Sequence, residues 1–233
     1  DKKYQAVFSF GTETDTLDPE GQVVGVADIP PIQIIEEKIS QCFIGPILQR
    51  PPAFSAVHIN GKRAHVLARS GKDVAIPERP VTVYSFEITD WSSPLLTVDI
   101  HVSKGTYIRS LARDLGHACG SRCHVVGLKR TAIGPFELSE AIQSTDSEAM
   151  KAAADHVDEL LFRLNVCGRI DFNFEAEKKF FASGTLPIKE IDYLWVGDSI
   201  GKQFAVAYGS SEKACAVFEV DEAGQCVKCV ARL

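Results

Sequence analysis

The chain has 233 residues, of which 45% are hydrophobic and 24% are charged, and its formal net charge is −6. These proportions are typical of a globular protein with a packed core and exclude disordered and collagen-like chains. No apolar stretch approaches the ~20 residues that a membrane span needs, and the first residues do not resemble a signal peptide. Seven cysteines without a regular spacing predict reduced thiols. We therefore expect a cytoplasmic protein with no membrane anchor.

Basic residues are concentrated in two segments of this acidic chain, which we call the first and second basic islands. The first, residues 49–72, has five basic side chains and no acidic one. The second, residues 101–130, has six basic side chains and one acidic one, a net charge of +5. If folding brings both islands to one face, that face can hold the phosphates of a nucleic acid. The alternative is that each island is an ordinary solvated surface.

Hydrophobic periodicity predicts the elements of the first hundred residues. Alternation over residues 3–10 is typical of a half-buried strand, and apolar spacing after Pro31 predicts a helix. Polar residues 12–25 are expected to form a loop. The remaining predictions here are a tight turn at Asn60-Gly61, a short helix over 64–69 and a long hairpin of strands 81–88 and 95–102.

The rest of the chain changes from helical to strand-like spacing. A helix with one basic and one apolar face is predicted over residues 108–119, then a strand over 123–128 and a helical segment over 138–164. From residue 186 four short β segments follow. We predict an α+β protein with two domains: residues 1–165, a mixed, largely antiparallel sheet flanked by helices, and residues 166–233, a small β-rich module.

The densest group of candidate functional residues is Lys104-Gly105-Thr106-Tyr107-Ile108-Arg109, where a strand ends and the basic helix begins. Gly105 allows close approach of the backbone to a ligand, and helix N-termini favour anions. Tyr107 offers a stacking face, and Arg109 offers a planar fork for a carboxylate or phosphate. Alternatively, Tyr107 is a core aromatic and Arg109 a solvated helix residue.

Three further blocks accompany this group in a fixed order. They are Asp1-Lys2-Lys3-Tyr4-Gln5-Ala6 with Thr14-Asp15-Thr16, then Gln49-Arg50-Pro51-Pro52-Ala53-Phe54-Ser55-Ala56 with Gly61-Lys62-Arg63, and finally His124-Val125-Val126-Gly127-Leu128-Lys129-Arg130. Over residues 1–165 this series resembles the TruB-type tRNA pseudouridine synthases, which isomerise a uridine of the T-loop. The end of the chain is loosely similar to the PUA-like RNA-binding module of that family.

The resemblance implies roles for particular residues. Tyr4 matches the tyrosine that stacks on the flipped base, Tyr107 a second tyrosine of the pocket, and Leu128 an apolar wall. Arg109 matches the arginine that pairs with the nucleophilic aspartate, and an arginine within reach keeps such a carboxylate ionised. The family needs no cofactor and no metal. Cys226 and Cys229 have the spacing of a zinc knuckle, but no second pair follows and we predict no metal site.

The nucleophilic aspartate is the residue that the matching motifs do not place. In the family it lies in a Gly-Thr-Leu-Asp-Pro block upstream of the strand that carries Tyr4, so we expect it upstream of Asp1. Thr16-Leu17-Asp18-Pro19 reproduces the tetrapeptide, but at the place of the family's polar loop. We therefore interpret Asp18 as a coincidental match and a secondary candidate.

The implied partner is the T-arm of tRNA, bound by a protein that we expect to be monomeric. The candidate RNA contacts are Lys62, Arg63, Lys104, Arg113, Lys129 and Arg130. One alternative is a non-catalytic tRNA-binding or tRNA-folding module that keeps the pocket and lacks the nucleophile. Another is a protein-interaction domain that uses the acidic C-terminal half.

Overall fold

The computed structural model of the chain describes residues 1–55, 58–59, 62–63, 76–154, 163, 167–183, 191–195, 203–209, 214–220 and 227–232. It divides into two compact units, Asp1–Glu140 and Ala141–Leu233. The sequence placed the boundary at residue 165. Both units have their own buried core.

The first unit contains ten strands and two α-helices within its described residues. In chain order they are β1 (Lys2–Phe10), β2 (Thr12–Thr14), β3 (Val23–Val26), α1 (Ile32–Cys42), β4 (Gly45–Gln49), β5 (His58–Ile59), β6 (Lys62–Arg63), β7 (Arg79–Ser92), β8 (Leu95–Val102), α2 (Ile108–Ala118), β9 (Cys123–Ile133) and β10 (Phe136–Glu137), followed by a 3₁₀ turn (Leu138–Glu140). Six of the strands form one antiparallel sheet in the order β10-β9-β1-β8-β7-β4. The α+β prediction is confirmed.

One face of this sheet carries the core. Ala6, Phe8 and Phe10 of β1 are buried together with alternate residues of β8, as the predicted alternation requires. Both helices pack on this cluster through their apolar stripes. In α2 the buried stripe includes Ile108 and Leu111. Packing on this face leaves the first turn of α2 free to carry polar side chains.

Three local features of this unit bear on the sequence predictions. The loop predicted over 12–25 is only partly right: residues 15–22 form no helix or strand, whereas β2 and β3 on either side of them pair as a short hairpin. Val23 and Val26 are exposed, so this hairpin shows no alternation of burial. Strand β4 was not predicted. Strands β5 and β6 pair, as the tight turn predicted between them requires. Asn60, Gly61 and the helix predicted over 64–69 lie outside the described residues.

The second unit is a β-rich module, as predicted. Its described elements are α3 (Ser147–Ala154), β11 (Cys167–Phe172), α4 (Phe174–Ser183), β12 (Ile191–Trp195), β13 (Gln203–Tyr208), β14 (Ala214–Val220) and β15 (Val227–Arg232). The sheet order is β12-β11-β13-β14-β15, with β11 and β13 parallel. Phe172, Phe180 and Phe218 fill its core.

The helical segment predicted over residues 138–164 is partly wrong. Only the 3₁₀ turn and α3 are helical among its described residues, and the stretch between them is not. Sequence reasoning also missed β11 and α4. No helix within the described segments is long and apolar enough to cross a membrane.

Candidate active site

The site is built at the start of α2. Gly105 has a φ of +85°, a backbone conformation that glycine adopts at no steric cost, and it turns the chain from β8 towards the helix. Tyr107 is the extended N-cap residue of α2 and makes no side-chain capping hydrogen bond. Arg109 lies in the first turn, one residue past the buried Ile108. The side chain of Arg109 is therefore directed away from the core.

The Arg109 guanidinium joins α2 to two loops. Its Nη1 donates to Asp18 Oδ2 and to the carbonyl oxygen of Thr16, both at 2.9 Å. Its Nη2 donates to the carbonyl oxygen of Phe54 at 2.9 Å. The Arg109 and Asp18 side chains are 26% and 27% exposed, so water still reaches this ion pair. Three of the five guanidinium N–H groups are thus engaged by described residues.

The loop that carries Asp18 is itself tightly held. Asp18 Oδ1 accepts hydrogen bonds from the Thr16 hydroxyl and, at 3.2 Å, from the Glu20 N–H. Leu17 is buried with a φ of +62°, a left-handed conformation that costs a leucine roughly 1–2 kcal/mol. Its carbonyl oxygen accepts a hydrogen bond from the Val125 N–H at 3.1 Å, which ties the loop to β9. The carboxylate of Asp18 is consequently fixed on both oxygens.

Tyr107 is held by a pair of residues from neighbouring strands. Gln49, at the end of β4, accepts a hydrogen bond from the Tyr107 N–H at 2.8 Å and donates to its carbonyl oxygen at 3.1 Å. Arg79 faces Gln49 across the β4–β7 ladder, and its guanidinium carbon lies 5.2 Å from the centroid of the Tyr107 ring. Sequence reasoning assigned no role to either residue, although Gln49 stands in one of the matching blocks.

Tyr4 lies near the same end of the sheet as Tyr107. Lys2, two residues before Tyr4, pairs with Val102, and Tyr107 follows Val102 by five residues. Tyr4 is half-buried and packs against the core cluster that includes Ile108.

Leu128 and Arg130, both on β9, project from the same face of the sheet as Tyr4 on the neighbouring strand β1. Arg130 pairs with Tyr4, and Leu128, which is 52% exposed, pairs with Ala6. Directly paired residues of adjacent strands project to the same side of a sheet. Lys129, whose partner is Gln5, therefore lies on the opposite face. The two neighbouring basic residues cannot serve one surface.

Arg113 is engaged within the protein. Its guanidinium donates to Asp114 Oδ1 and to the carbonyl oxygen of Arg50, which also accepts from the Ser110 hydroxyl at 2.9 Å. The Arg113 side chain is 17% exposed. Burial raises the pKa of the Asp114 carboxyl, and the nearby Arg113 charge opposes that shift. Arg113 thus braces the segment after β4 against α2, and its predicted contact with RNA stays a prediction.

The other predicted RNA contacts differ in accessibility. Lys104 is exposed in the turn before α2. Lys62 and Arg63 form β6, but their side chains lie outside what the structure describes. Among the described residues, no group of His, Cys, Asp or Glu side chains is arranged to hold a metal ion. Cys226 lies outside the described residues.

Family models match most of the chain. Residues 1–108 match the TruB family pseudouridylate synthase N-terminal domain, and residues 109–165 match the tRNA pseudouridylate synthase B C-terminal domain. The sheet, the ion pair and both tyrosines lie within these matches. The chain therefore belongs to the TruB family of pseudouridylate synthases.

Curated relatives agree with this assignment. The chain is 50% identical over 144 residues to tRNA pseudouridine synthase B of Borreliella burgdorferi (strain ZS7), which covers 60% of this chain and 51% of that protein. It is 39% identical over 173 residues to tRNA pseudouridine synthase B of Corynebacterium jeikeium (strain K411), covering 70% and 56%. The chain thus spans about half the length of the curated relatives it matches.

Solved structures show the same fold. A crystal structure of a Cbf5-Nop10-Gar1 complex aligns with a TM-score of 0.59 at 22% identity, covering 99% of this chain and 66% of that one. An H/ACA RNP bound to a substrate RNA containing 2'-deoxyuridine aligns with a TM-score of 0.57 at 18% identity, covering 100% and 65%. At these identities the likeness concerns the fold alone.

Proposed function

We propose that this chain belongs to a tRNA pseudouridine synthase that isomerises a flipped uridine of the T-arm. In this reaction the N1–C1′ glycosidic bond breaks and a C5–C1′ bond forms. The proton on C5 is lost, and N1 gains one, so the composition of the RNA does not change. The base must first leave its stack to reach a pocket. The ion pair of Arg109 with Asp18, at the start of the helix that Tyr107 caps, is the observation that carries the proposal.

In this proposal Arg109 serves a second carboxylate. Three of its N–H groups are taken by described residues, which leaves two for the two oxygens of the nucleophilic aspartate. We assign that aspartate to a Thr-Leu-Asp-Pro block outside residues 1–233. The place of Asp18 in the chain supports this assignment, because Asp18 follows the strand that carries Tyr4, whereas the family's block precedes that strand. Asp18 is then a positioning residue that holds Arg109.

Tyr4, Tyr107 and Leu128 form the walls for the base. Tyr4 offers its ring for stacking and its hydroxyl as the candidate acceptor of the C5 proton. Leu128 is exposed on the same face of the sheet, which suits a residue that is covered only when the base is bound. Lys104 and Arg130 are exposed near this end and are available to contact phosphates. A monomeric state and a cytoplasmic location stay predictions.

The test is to incubate the full polypeptide that contains this chain with two tRNA transcripts and then digest them to nucleosides. One transcript carries the T-loop uridine and the other carries cytidine at that position. We expect one pseudouridine per molecule in the first and none in the second. If neither is modified but both bind with a steep dependence on salt, the tRNA-binding module is the correct alternative. If binding does not distinguish tRNA from mixed RNA, the protein-interaction domain is favoured.

A further inference from the structure

The side chain of Gln49 makes a two-bond contact with the backbone of the candidate active site. Gln49 is 1% exposed. Its Oε1 accepts from the Tyr107 N–H at 2.8 Å, and its Nε2 donates to the Tyr107 carbonyl oxygen at 3.1 Å. A buried carboxamide needs partners for both its ends, and here the same residue supplies both. The pair fixes the distance and the orientation of the peptide units around Tyr107.

This contact holds the N-cap residue of α2 and provides a partner for its N–H. Tyr107 is the N-cap residue of α2, and its own side chain makes no capping hydrogen bond. Its carbonyl oxygen accepts the first bond of the helix, from the Leu111 N–H at 3.1 Å. Gln49 therefore acts on the residue that sets where α2 begins, and Arg109 follows two residues later.

Arg79 adds a hold on the Tyr107 ring. It faces Gln49 across the β4–β7 ladder, and its guanidinium carbon lies 5.2 Å from the ring centroid, within the range of a cation–π contact. One end of this strand pair thus contacts both the backbone and the side chain of Tyr107.

We propose that Gln49 is a positioning residue for the isomerisation, which acts by setting the place of Tyr107 and of Arg109 at the start of α2. This inference rests on the proposed function. Gln49 is 1% exposed, so its replacement moves the reacting groups without removing a contact with RNA. Small displacements of such groups reduce turnover by up to ~10²-fold.

The test compares Gln49→Met with Ser121→Ala in the full polypeptide. Methionine keeps most of the volume and removes both hydrogen bonds. Ser121 is the matched control, because it is also about 1% exposed and donates to a backbone oxygen, that of Asp28 at 2.7 Å, beyond the other end of α2. We measure kcat, the Kd for a tRNA transcript, the melting temperature and the hydrogen exchange of the Tyr107 amide.

We expect Gln49→Met to lower kcat by about 10- to 100-fold, to leave Kd within about 3-fold and to speed exchange of the Tyr107 amide. Ser121→Ala should lower the melting temperature and leave kcat near that of the unchanged protein. Equal effects of the two variants on kcat, or equal losses of kcat and affinity in Gln49→Met, would overturn the proposal. If the unchanged protein makes no pseudouridine, the proposed function fails. Unchanged exchange of the Tyr107 amide in Gln49→Met would overturn this inference whatever the result for pseudouridine.

Gln49→Glu is a second variant, for use if Gln49→Met does not fold. A protonated glutamic acid has the donor and the acceptor of glutamine, whereas the carboxylate has no donor for the Tyr107 carbonyl oxygen. The kcat of Gln49→Glu relative to the unchanged protein should therefore rise as pH falls from 8 to 5, about 10-fold in total. A flat ratio would overturn the proposal. The charged groups on the elements around position 49 are Arg79 and Glu78 at the start of β7, Arg50 after β4, and Arg113 with Asp114 on α2.

Discussion

Asp18 and Arg109 are 91 residues apart in the sequence, and Asp18 Oδ2 lies 2.9 Å from Arg109 Nη1. The same guanidinium also binds the carbonyl oxygens of Thr16 and Phe54. One side chain therefore fixes two loops against the start of α2. We expect turnover to depend on this geometry.

Replacement of Arg109 by lysine tests the proposed role of the guanidinium. Lysine keeps the charge but cannot make three directed hydrogen bonds to three groups while presenting a fork to a further carboxylate. We expect kcat on tRNA to fall by roughly 100-fold, with a change in Kd of less than about 3-fold. Arg122→Lys, in the turn between α2 and β9, is the control and should change neither. Equal losses in kcat and affinity would make Arg109 a phosphate contact instead.

Asp18→Asn separates a positioning role from a nucleophilic one. Asparagine retains an oxygen for Arg109 and loses the negative charge, so we expect turnover reduced by about 10- to 100-fold but still measurable. The measurement is single-turnover formation of pseudouridine with enzyme in excess. Turnover at background level in a folded variant would identify Asp18 as the nucleophile.

Tyr4→Phe keeps the ring and removes the hydroxyl. If that oxygen accepts the C5 proton, turnover should fall by roughly 100-fold while tRNA binding is retained. Tyr4→Leu serves as the comparison, because it also removes the stacking surface and should weaken binding. Full activity of Tyr4→Phe would exclude a role for the hydroxyl in proton transfer.

Gly116→Ala tests the packing of α2 against β9. Alanine favours a helix interior by about 1 kcal/mol over glycine. However, a Cβ at residue 116 would lie 2.7 Å from the backbone nitrogen and the Cβ of Cys123. We expect this clash to decide the sign, with a loss of about 1–3 kcal/mol in the free energy of unfolding by urea. Gly120→Asn is the control: residue 120 has a φ of +68° and a Cβ there would meet no heavy atom within 4 Å, so the loss should be smaller.

Thiol labelling tests the burial of the cysteines in the first unit. Cys42 is exposed, whereas burial raises the pKa of Cys119 to about 11 and that of Cys123 well above its usual range. Only the thiolate reacts with iodoacetamide. At pH 8 we expect Cys42 to be labelled first, and Cys119 and Cys123 to be labelled only after urea is added. Mass spectrometry of tryptic peptides checks this order, and early labelling of Cys123 would contradict the packing of α2 on β9.

The sequence predicts those parts of the fold in which burial follows a local period. The alternation of β1 and the apolar stripe of α2 indicate their bounds to within one or two residues. The β2–β3 hairpin escapes such analysis, because Val23, Val24 and Val26 are exposed and show no alternation.

The site is less predictable than the fold. Tyr107 and Arg109 can be found because they are close in sequence at a strand-to-helix junction. The contact of Asp18 with Arg109 cannot, because it joins distant segments and depends on the left-handed backbone at Leu17. The role of Gln49 cannot be predicted from the sequence either, because a polar residue at the end of a strand is usually solvated and Gln49 is buried.

Lys129 and Arg130 project from opposite faces of the sheet, which limits the number of basic side chains that one ligand can contact. An RNA strand that lies along one surface of the sheet encounters one of these side chains and not the other. Arg109 and Arg113 are further neutralised by Asp18 and Asp114. A salt titration of tRNA binding should therefore report fewer displaced counterions from residues 101–130 than six basic side chains suggest.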